Sequence, residues 1–260
     1  MKDIVFVTVT KDNFDDLQST LFSINNFSKV WDISLIVVDS SSNHQQTLEV
    51  IGKNITSIRL QKSMLILEDA PKGVYHAMNK AIPHLSGKYV CFMNSGDVIH
   101  PLGFGKMMKQ ASVSTSEKVY YGHPIWLDGT NKVGLKLPFG LHRLRIPFLG
   151  RMPNHQCMLV PVSAHSHLYY NFDKYPIAAD LDVKLALLRK LEFIDTRLNV
   201  TLCKPGGISQ QINSFSILFK RAIEYSLITG KYYGLLTLIL SWIFFVLWHS
   251  RKLLARSFVA

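Results

Sequence analysis

Cysteine is scarce in this sequence. Cys91, Cys157 and Cys203 are the only three in 260 residues, odd in number, far apart and without a CxxC pair. That excludes a disulfide framework and a cysteine-based zinc site, and it suits reduced, buried thiols. The opening "MKDIVFVTVTKDN" has too short an apolar run for a secretory signal and carries an Asp within it. No GxGxxG follows the first apolar stretch, which argues against a dinucleotide-dependent oxidoreductase. Internal repeats and low-complexity linkers are missing too. Acids are absent between Asp128 and Asp173, where Lys132, Lys136, Arg143, Arg145 and Arg151 fall. From Ile217 to Ala260 only Glu224 opposes six Lys and Arg. The net charge of +11 suits an anionic partner, whether nucleic acid, a phosphorylated substrate or an anionic bilayer, or else a solvated basic face. No RNA- or DNA-binding pattern accompanies the charge, so nucleic acid is not expected.

What is present reads as an α/β chain. Hydrophobic residues make up 48% of it, enough for a sizeable core. "DIVFVTVT" (3–10), "ISLIVVDS" (33–40), "MLILED" (64–69) and "KYVCFMNSGD" (88–97) are strand patterns. Helical patterns separate them over 14–27, after Ser42, and over 74–85, with Asp12 or Asn13 capping the first. Continuous apolar strands alternating with helices predict a mainly parallel sheet covered on both faces. Ligands of such sheets bind beyond the carboxyl ends of the strands. Thr8 to Thr10, Asp39 and Asp97 all fall at those ends. Further on, 118–139 reads as short strands around an Asp-Gly turn, 155–161 as another strand, and 180–191 as an amphipathic helix. This second half reads as an antiparallel layer of the same domain.

The tail differs. "YYGLLTLILSWIFFVLWHS" (232–250) is almost wholly apolar, and its uninterrupted core, Gly234 to Trp248, is 15 residues. A full span needs about 20. Tyr232, Tyr233, Trp242 and Trp248 are aromatic anchors of the interfacial kind. A helix dipping into one leaflet is the first expectation, a true span the second and a buried dimer helix the third.

Seven segments follow one another in order: "TVTKDN", "VVDSSSN", "GVYHAMNKAI", "FMNSGD", "NHQ", "IAADLDVKL" and "GGIS". Together, over roughly residues 3 to 210, they resemble family-2 glycosyltransferases with the GT-A fold, and especially the colanic-acid-type branch of bacterial polysaccharide assembly. The resemblance implies a GT-A domain over 1–213, with a donor half to about residue 100 and an acceptor half beyond it. Residues 214–260 then form a helical membrane-associating segment. The implied activity is inverting transfer of a sugar from a nucleoside-diphosphate sugar to a glycan acceptor carried on a polyprenyl diphosphate, at the cytoplasmic face of the inner membrane. A sugar-phosphate nucleotidyltransferase shares a related fold, but its glycine-rich loop after the first strand is missing here. A non-catalytic membrane- or nucleic-acid-binding module leaves Asp39, Asp97 and Asp180 unexplained.

The same resemblance assigns residues. Asp97, in Asn94-Ser95-Gly96-Asp97, corresponds to the acidic metal motif. One carboxylate suffices for Mg²⁺ or Mn²⁺ when diphosphate and water supply other oxygens. Asp39 would accept a ring N–H of the base, with Thr8 and Thr10 lining the same pocket. Gly73, Asn79, Lys80, Asn94 and Ser95 complete the donor side; His76 stands where the branch carries Asp. His155, Gln156 and Asp182 fall to the acceptor or the diphosphate. Asp180 corresponds to the acid of the family's Glu-Asp motif and would be the base. Read without the family, Asp39 and Asp180 are also helix caps, 94–97 an Asx turn and His155 a structural histidine. Asp180 and Asp182, at i and i+2, diverge on a helix and cannot act as one pair.

Overall fold

The computed structural model describes residues 3–127, 152–204, 215–240 and 243. Strands β1 (Ile4–Thr10), β2 (Ile33–Asp39), β3 (Met64–Glu68) and β4 (Tyr89–Asn94) appear where the apolar runs predict them. Each of β1 and β2 is buried along its whole length. Fully burying one such Val, Ile or Phe contributes about 1.5–3 kcal/mol, so these runs leave no competing exposed arrangement. Helix α1 (Phe14–Phe27) places Leu17, Leu21 and Ile24 inward at helical spacing. Asn13 holds its N-cap position, but its Nδ2 donates to Asp16 Oδ2 (2.7 Å) instead of its side chain capping the helix. Helix α2 (His44–Asn54) is capped by Asn43, whose Oδ1 accepts from Gln46 N; the one-turn α3 (Ile58–Gln61) follows. Helix α4 (Val74–Ala81) stops short of the expected 85. Residues Ile82–His84 form a 3₁₀ turn around Pro83, which has no N–H to continue the ladder.

The remaining strands are β5 (Val98–Ile99), β6 (Lys118–Trp126), β7 (Met158–Pro161) and β8 (Glu192–Cys203). The sheet order is β3-β2-β1-β4-β7-β6-β8-β5. The first four strands are parallel, and β7 runs antiparallel to both β4 and β6. The second half is not simply antiparallel, because β6 pairs with β8 in parallel, with register irregularities between Tyr121 and Pro124. The expected strand over 155–161 begins only at Met158, since His155–Cys157 form a 3₁₀ turn. The Asp128-Gly129 turn lies outside the described residues.

The two longest elements with no sequence expectation are α5 (Pro101–Ser112) and β8; the short α3 and β5 and the one-turn helix Val162–His165 had none either. Helix α5 carries Gly103, and a Cβ there would meet Asn199 O at 1.7 Å, so the glycine lets the helix lie against β8. The short α6 (Val162–His165) follows β7, and α7 (Ala179–Lys190) matches the helix expected at 180–191. Its burial is broader than one stripe: Leu181, Asp182, Val183, Lys184 and Leu185 are all buried. Helix α8 (Phe215–Tyr233) ends at Gly234, in the left-handed region at φ 91°, and a further helical stretch covers 235–240.

Two compact units divide the described residues. One holds 3–127, 153–170 and 187–204, with the whole sheet. The other holds 171–186 and the described residues from 215 onward, with the first part of α7 and α8.

Candidate functional site

In the sheet unit, register decides which side chains share the carboxyl edge. Thr10 pairs with Asp39, Asp39 with Glu68, and Val9 with Asn94. The loops leaving these strands are tied to one another by backbone bonds. Ser40 N donates to Thr10 O (2.9 Å), Asp69 N to Asp39 O (2.7 Å) and Ser95 N to Val9 O (3.3 Å). Ser95 Oγ also donates to Val9 O, at 3.1 Å. Asp12, at φ 49°, accepts from both Ser42 N and Ser42 Oγ at 2.7 Å, and these bonds hold its carboxyl below the usual range. Thr8 Oγ1, Thr10 Oγ1 and Asn94 Oδ1 are buried with no hydrogen-bond partner among the described residues. A buried oxygen without a partner costs about 1–3 kcal/mol, a cost that a polar ligand beyond the ends of β1 and β4 would relieve.

Asp39 is 2% exposed and doubly engaged. Its Oδ1 accepts from Ser41 N (3.0 Å) and its Oδ2 meets His44 Nδ1 at 2.6 Å. His44 Nε2 lies 3.0 Å from Glu68 Oε1. An acid–imidazole–acid chain therefore runs along the ends of β2 and β3. Beside it His76 Nδ1 meets Asp69 Oδ2 at 2.8 Å, and Lys80 Nζ lies 3.5 Å from Asp69 Oδ1 and donates to Glu68 O. The imidazole at 76 is thus paired to an acid on the preceding strand's loop. Both amide atoms of Asn79 are engaged by the Tyr170 backbone, at 2.9 and 2.8 Å. Gly73 caps α4 at φ 107° with open space around it, so its conformation, not crowding, calls for glycine.

The corner after β4 is differently built. Gly96, at φ 99°, donates its N–H to Thr20 Oγ1 (2.9 Å), and Thr20 donates to Asp97 O (2.8 Å). A Cβ on Gly96 would come within 3.2 Å of the Asp16 carboxyl. Asp97 Oδ2 accepts from Asn94 N at 3.2 Å, and the carboxyl is only 5% exposed. Burial pushes it up to about 6, although Cys203, Asn94 N–H and Gln156 all hydrogen-bond it; the nearby Asp16 adds repulsion. Asp16 itself is penalised by burial, yet Lys204 and Asn13 outweigh that and hold it below its ordinary value. His155 Nε2 lies 3.2 Å from Asn94 Nδ2. Among the described residues no group of three or more His, Cys, Asp and Glu is placed to hold a metal by itself.

In the other unit, α7 begins at Ala179, so Asp180 lies inside its first turn and not at the cap. Asp180 Oδ2 accepts from Lys184 Nζ at 2.6 Å. Asp182 pairs instead with Lys231 Nζ, at 2.7 and 3.0 Å, so the two acids diverge as their spacing requires.

Sequence reasoning passed over His44, Glu68, Asp12, Asp16, Asp69 and Lys204. A signal existed for all but Lys204, since each of the others lies within six residues of the carboxyl end of a strand that the apolar runs predict. Lys204 and Asp16 are 188 positions apart, and nothing in the chain order links them.

The model of glycosyl transferase family 2 matches residues 5–171. None of the curated proteins matches the chain. Among solved structures, the mannosyltransferase PcManGT of Pyrobaculum calidifontis, in complex with GDP-Man and Mn²⁺, superposes with a TM-score of 0.60 at 14% identity, over 89% of this chain and 66% of that one. S. aureus TarS 1-349 with UDP-GlcNAc gives 0.56 at 13%, over 88% and 71%. Glucosyl-3-phosphoglycerate synthase of Mycobacterium tuberculosis, with phosphoglyceric acid, gives 0.56 at 14%, over 89% and 80%. At these identities the likeness carries the fold alone.

Proposed function

Because the chain belongs to glycosyl transferase family 2, we propose that it is an inverting glycosyltransferase that moves a sugar from a nucleoside-diphosphate sugar to a hydroxyl of a glycan acceptor. The observation that carries this reading is the carboxyl end of β1 and β4, where Thr8 Oγ1, Thr10 Oγ1 and Asn94 Oδ1 are buried without partners among the described residues, near Asp39 and the Asp97 corner. Nucleotide sugars in complexes of structural neighbours, UDP-GlcNAc and GDP-Man, agree with a donor of that class.

The Asp97 corner suits a hard divalent cation, Mg²⁺ or Mn²⁺. It offers a carboxylate destabilised by its own burial and, in the same turn, an Asn94 oxygen with no partner among the described residues. Hard cations take such oxygens and accept the remainder from phosphate and water. When bound, the cation would offset the charge that develops on the departing diphosphate. Lys80, held beside the end of β3, and His155, beside Asn94, would add positive charge or hydrogen bonds to the donor. Asp180 would take the proton of the acceptor hydroxyl as that oxygen bonds to the anomeric carbon and the bond to diphosphate breaks on the opposite face.

The acceptor is read as a polyprenyl-diphosphate-linked glycan of surface polysaccharide assembly, at the cytoplasmic face of the plasma membrane, in keeping with the colanic-acid-type order of motifs. What supports a bilayer is α8, which is inverted: Phe219, Ile223 and Leu227 are exposed while Glu224, Ser226 and Thr229 are buried. Leu235, Leu236, Ile239, Leu240 and Ile243 continue the exposed apolar surface. Among the described residues no helix is long and apolar enough to cross a membrane. Docking into one leaflet fits that exposed apolar surface. Replacing Phe219, Ile223 and Leu227 together by Glu should lower co-sedimentation with phosphatidylglycerol vesicles several-fold; unchanged co-sedimentation would reject this surface.

The activity is tested with a panel of nucleoside-diphosphate sugars, read by thermal shift with and without Mn²⁺ and then by transfer. Asp180→Asn should bind donor as the wild type does and lose about 10²- to 10⁴-fold in kcat. Transfer at the wild-type rate by that variant would move the base elsewhere.

A further inference from the structure

The inward side of α8 has a second use. Glu224 is 7% exposed, and its Oε2 accepts from Ile177 N (2.9 Å) and Ala178 N (2.8 Å). These two N–H groups lie immediately before Ala179, where the helix bearing Asp180 begins. The first N–H groups of a helix have no partner within it and need one from outside. Here a carboxylate from a helix 46 and 47 positions away supplies it, at the helix end where negative charge is favoured. One turn on, Lys231 grips the Asp182 carboxylate, and Tyr232 Oη donates to Asp182 O at 3.1 Å. Asp180 thus sits between two points held by α8, one at 177–178 and one at 182.

A fold does not require an acid at Glu224. Burial pushes its carboxyl above the ordinary range, against the two amides and Arg221, which pull the other way. An apolar residue on that side of α8 would avoid the cost but would remove the oxygen that both backbone donors share.

We propose that Glu224 is a positioning residue for Asp180: it fixes the backbone at 177–178 so that the Asp180 carboxylate meets the acceptor hydroxyl. The role rests on Asp180 being the base. Glu224 itself touches neither donor nor acceptor. A displacement of the base by about 1 Å can cost on the order of 10²-fold in rate without altering donor binding.

The test compares full-length wild type, E224A, E224Q, D180N and D180N/E224A in kcat and in donor KM, with thermal unfolding recorded on each. E224A should lose about 10- to 100-fold in kcat while donor KM stays within about threefold. E224Q keeps an oxygen that accepts from both amides and should recover most of the lost rate. The double variant should be no slower than D180N, because a base that is absent cannot be mispositioned. Wild-type kcat in E224A, a loss confined to KM, no recovery in E224Q, or a further drop in the double variant would each overturn the proposal. Full transfer by D180N would remove the base assignment, and the Glu224 role with it; an inactive D180N beside a fully active E224A would remove the positioning role alone. Should E224A not fold, E224D keeps the charge but shortens the reach, and a wild-type kcat there overturns the proposal equally.

Discussion

Each half of the sheet carries a buried carboxylate near its edge, and the two are held in opposite ways. Asp39, at the end of β2, has a backbone N–H on one oxygen and the His44 imidazole on the other. Asp97, at the corner where β4 gives way to β5, has a neighbouring backbone N–H, a thiol and an amide, but among the described residues no cationic side chain hydrogen-bonds it. The first acid is matched within the protein. The second is left under-compensated, with Lys204 drawn instead to Asp16 beside it. A fully matched buried acid is a structural or recognition element, whereas an unmatched one keeps a demand for positive charge that a ligand can meet.

The largest effect that would break this contrast concerns Asp97. Its folded-state value of about 6 lies above the ordinary 3.8. Ionised Asp97 therefore opposes folding: its protonated form costs nothing below about pH 4, and stability is lost as pH rises through 6, by on the order of 3 kcal/mol. Asp97→Asn should unfold at a higher temperature than wild type at pH 7.5, match it near pH 4, and lose about 10²-fold or more of its transfer. A variant less stable at both pH values would show that Asp97 is matched after all.

A smaller effect is expected at Asp39. His44→Ala removes the partner of one buried oxygen and breaks the chain to Glu68, which should cost about 1–3 kcal/mol of stability. Donor KM should rise with it. Chemical denaturation at pH 7.5 reads the first effect and donor titration the second. An unchanged unfolding midpoint would mean that Ser41 N–H suffices to hold Asp39.

The smallest effect is expected at Thr10. Its hydroxyl is buried without a described partner, so Thr10→Val should leave stability within about 1 kcal/mol of wild type or raise it. Donor KM should still rise a few-fold if the hydroxyl meets the nucleotide sugar. A clear loss of stability in the absence of donor would show that the hydroxyl has a partner within the protein.

The same contrast separates what was legible in the chain from what was not. The parallel half was readable because each of its strands is a local, continuous apolar run; β1, β2 and most of β4 are buried, while β3 at the edge is only partly covered. Helix α1 was readable from its period. The mixed half hid β8, whose twelve residues include Glu192, Asp195, Thr196, Arg197 and Asn199 and whose backbone turns to φ 57° at Arg197. Alternation fails there, and only the register with β6 makes it a strand. Helix α5 was hidden by Gly103 and Gly105, the first of which is explained by β8 lying close against it.

The acids followed the same rule. That Asp39, Asn94 and Asp97 stand at strand ends could be read from the sequence, because a strand's end is set by its own residues. The sequence alone also determined the α/β class, the ordered run of family motifs, the divergence of Asp180 and Asp182, and the apolar tail. Only the tertiary structure decided that His44 bridges Asp39 to Glu68, that Lys204 reaches Asp16 and that Glu224 holds the backbone before Asp180. Each of those contacts joins residues on different elements, and one of them spans 188 positions. Propensity and periodicity act over a turn or a strand, while pairing at that distance is settled by which surfaces the closed fold brings within hydrogen-bond reach.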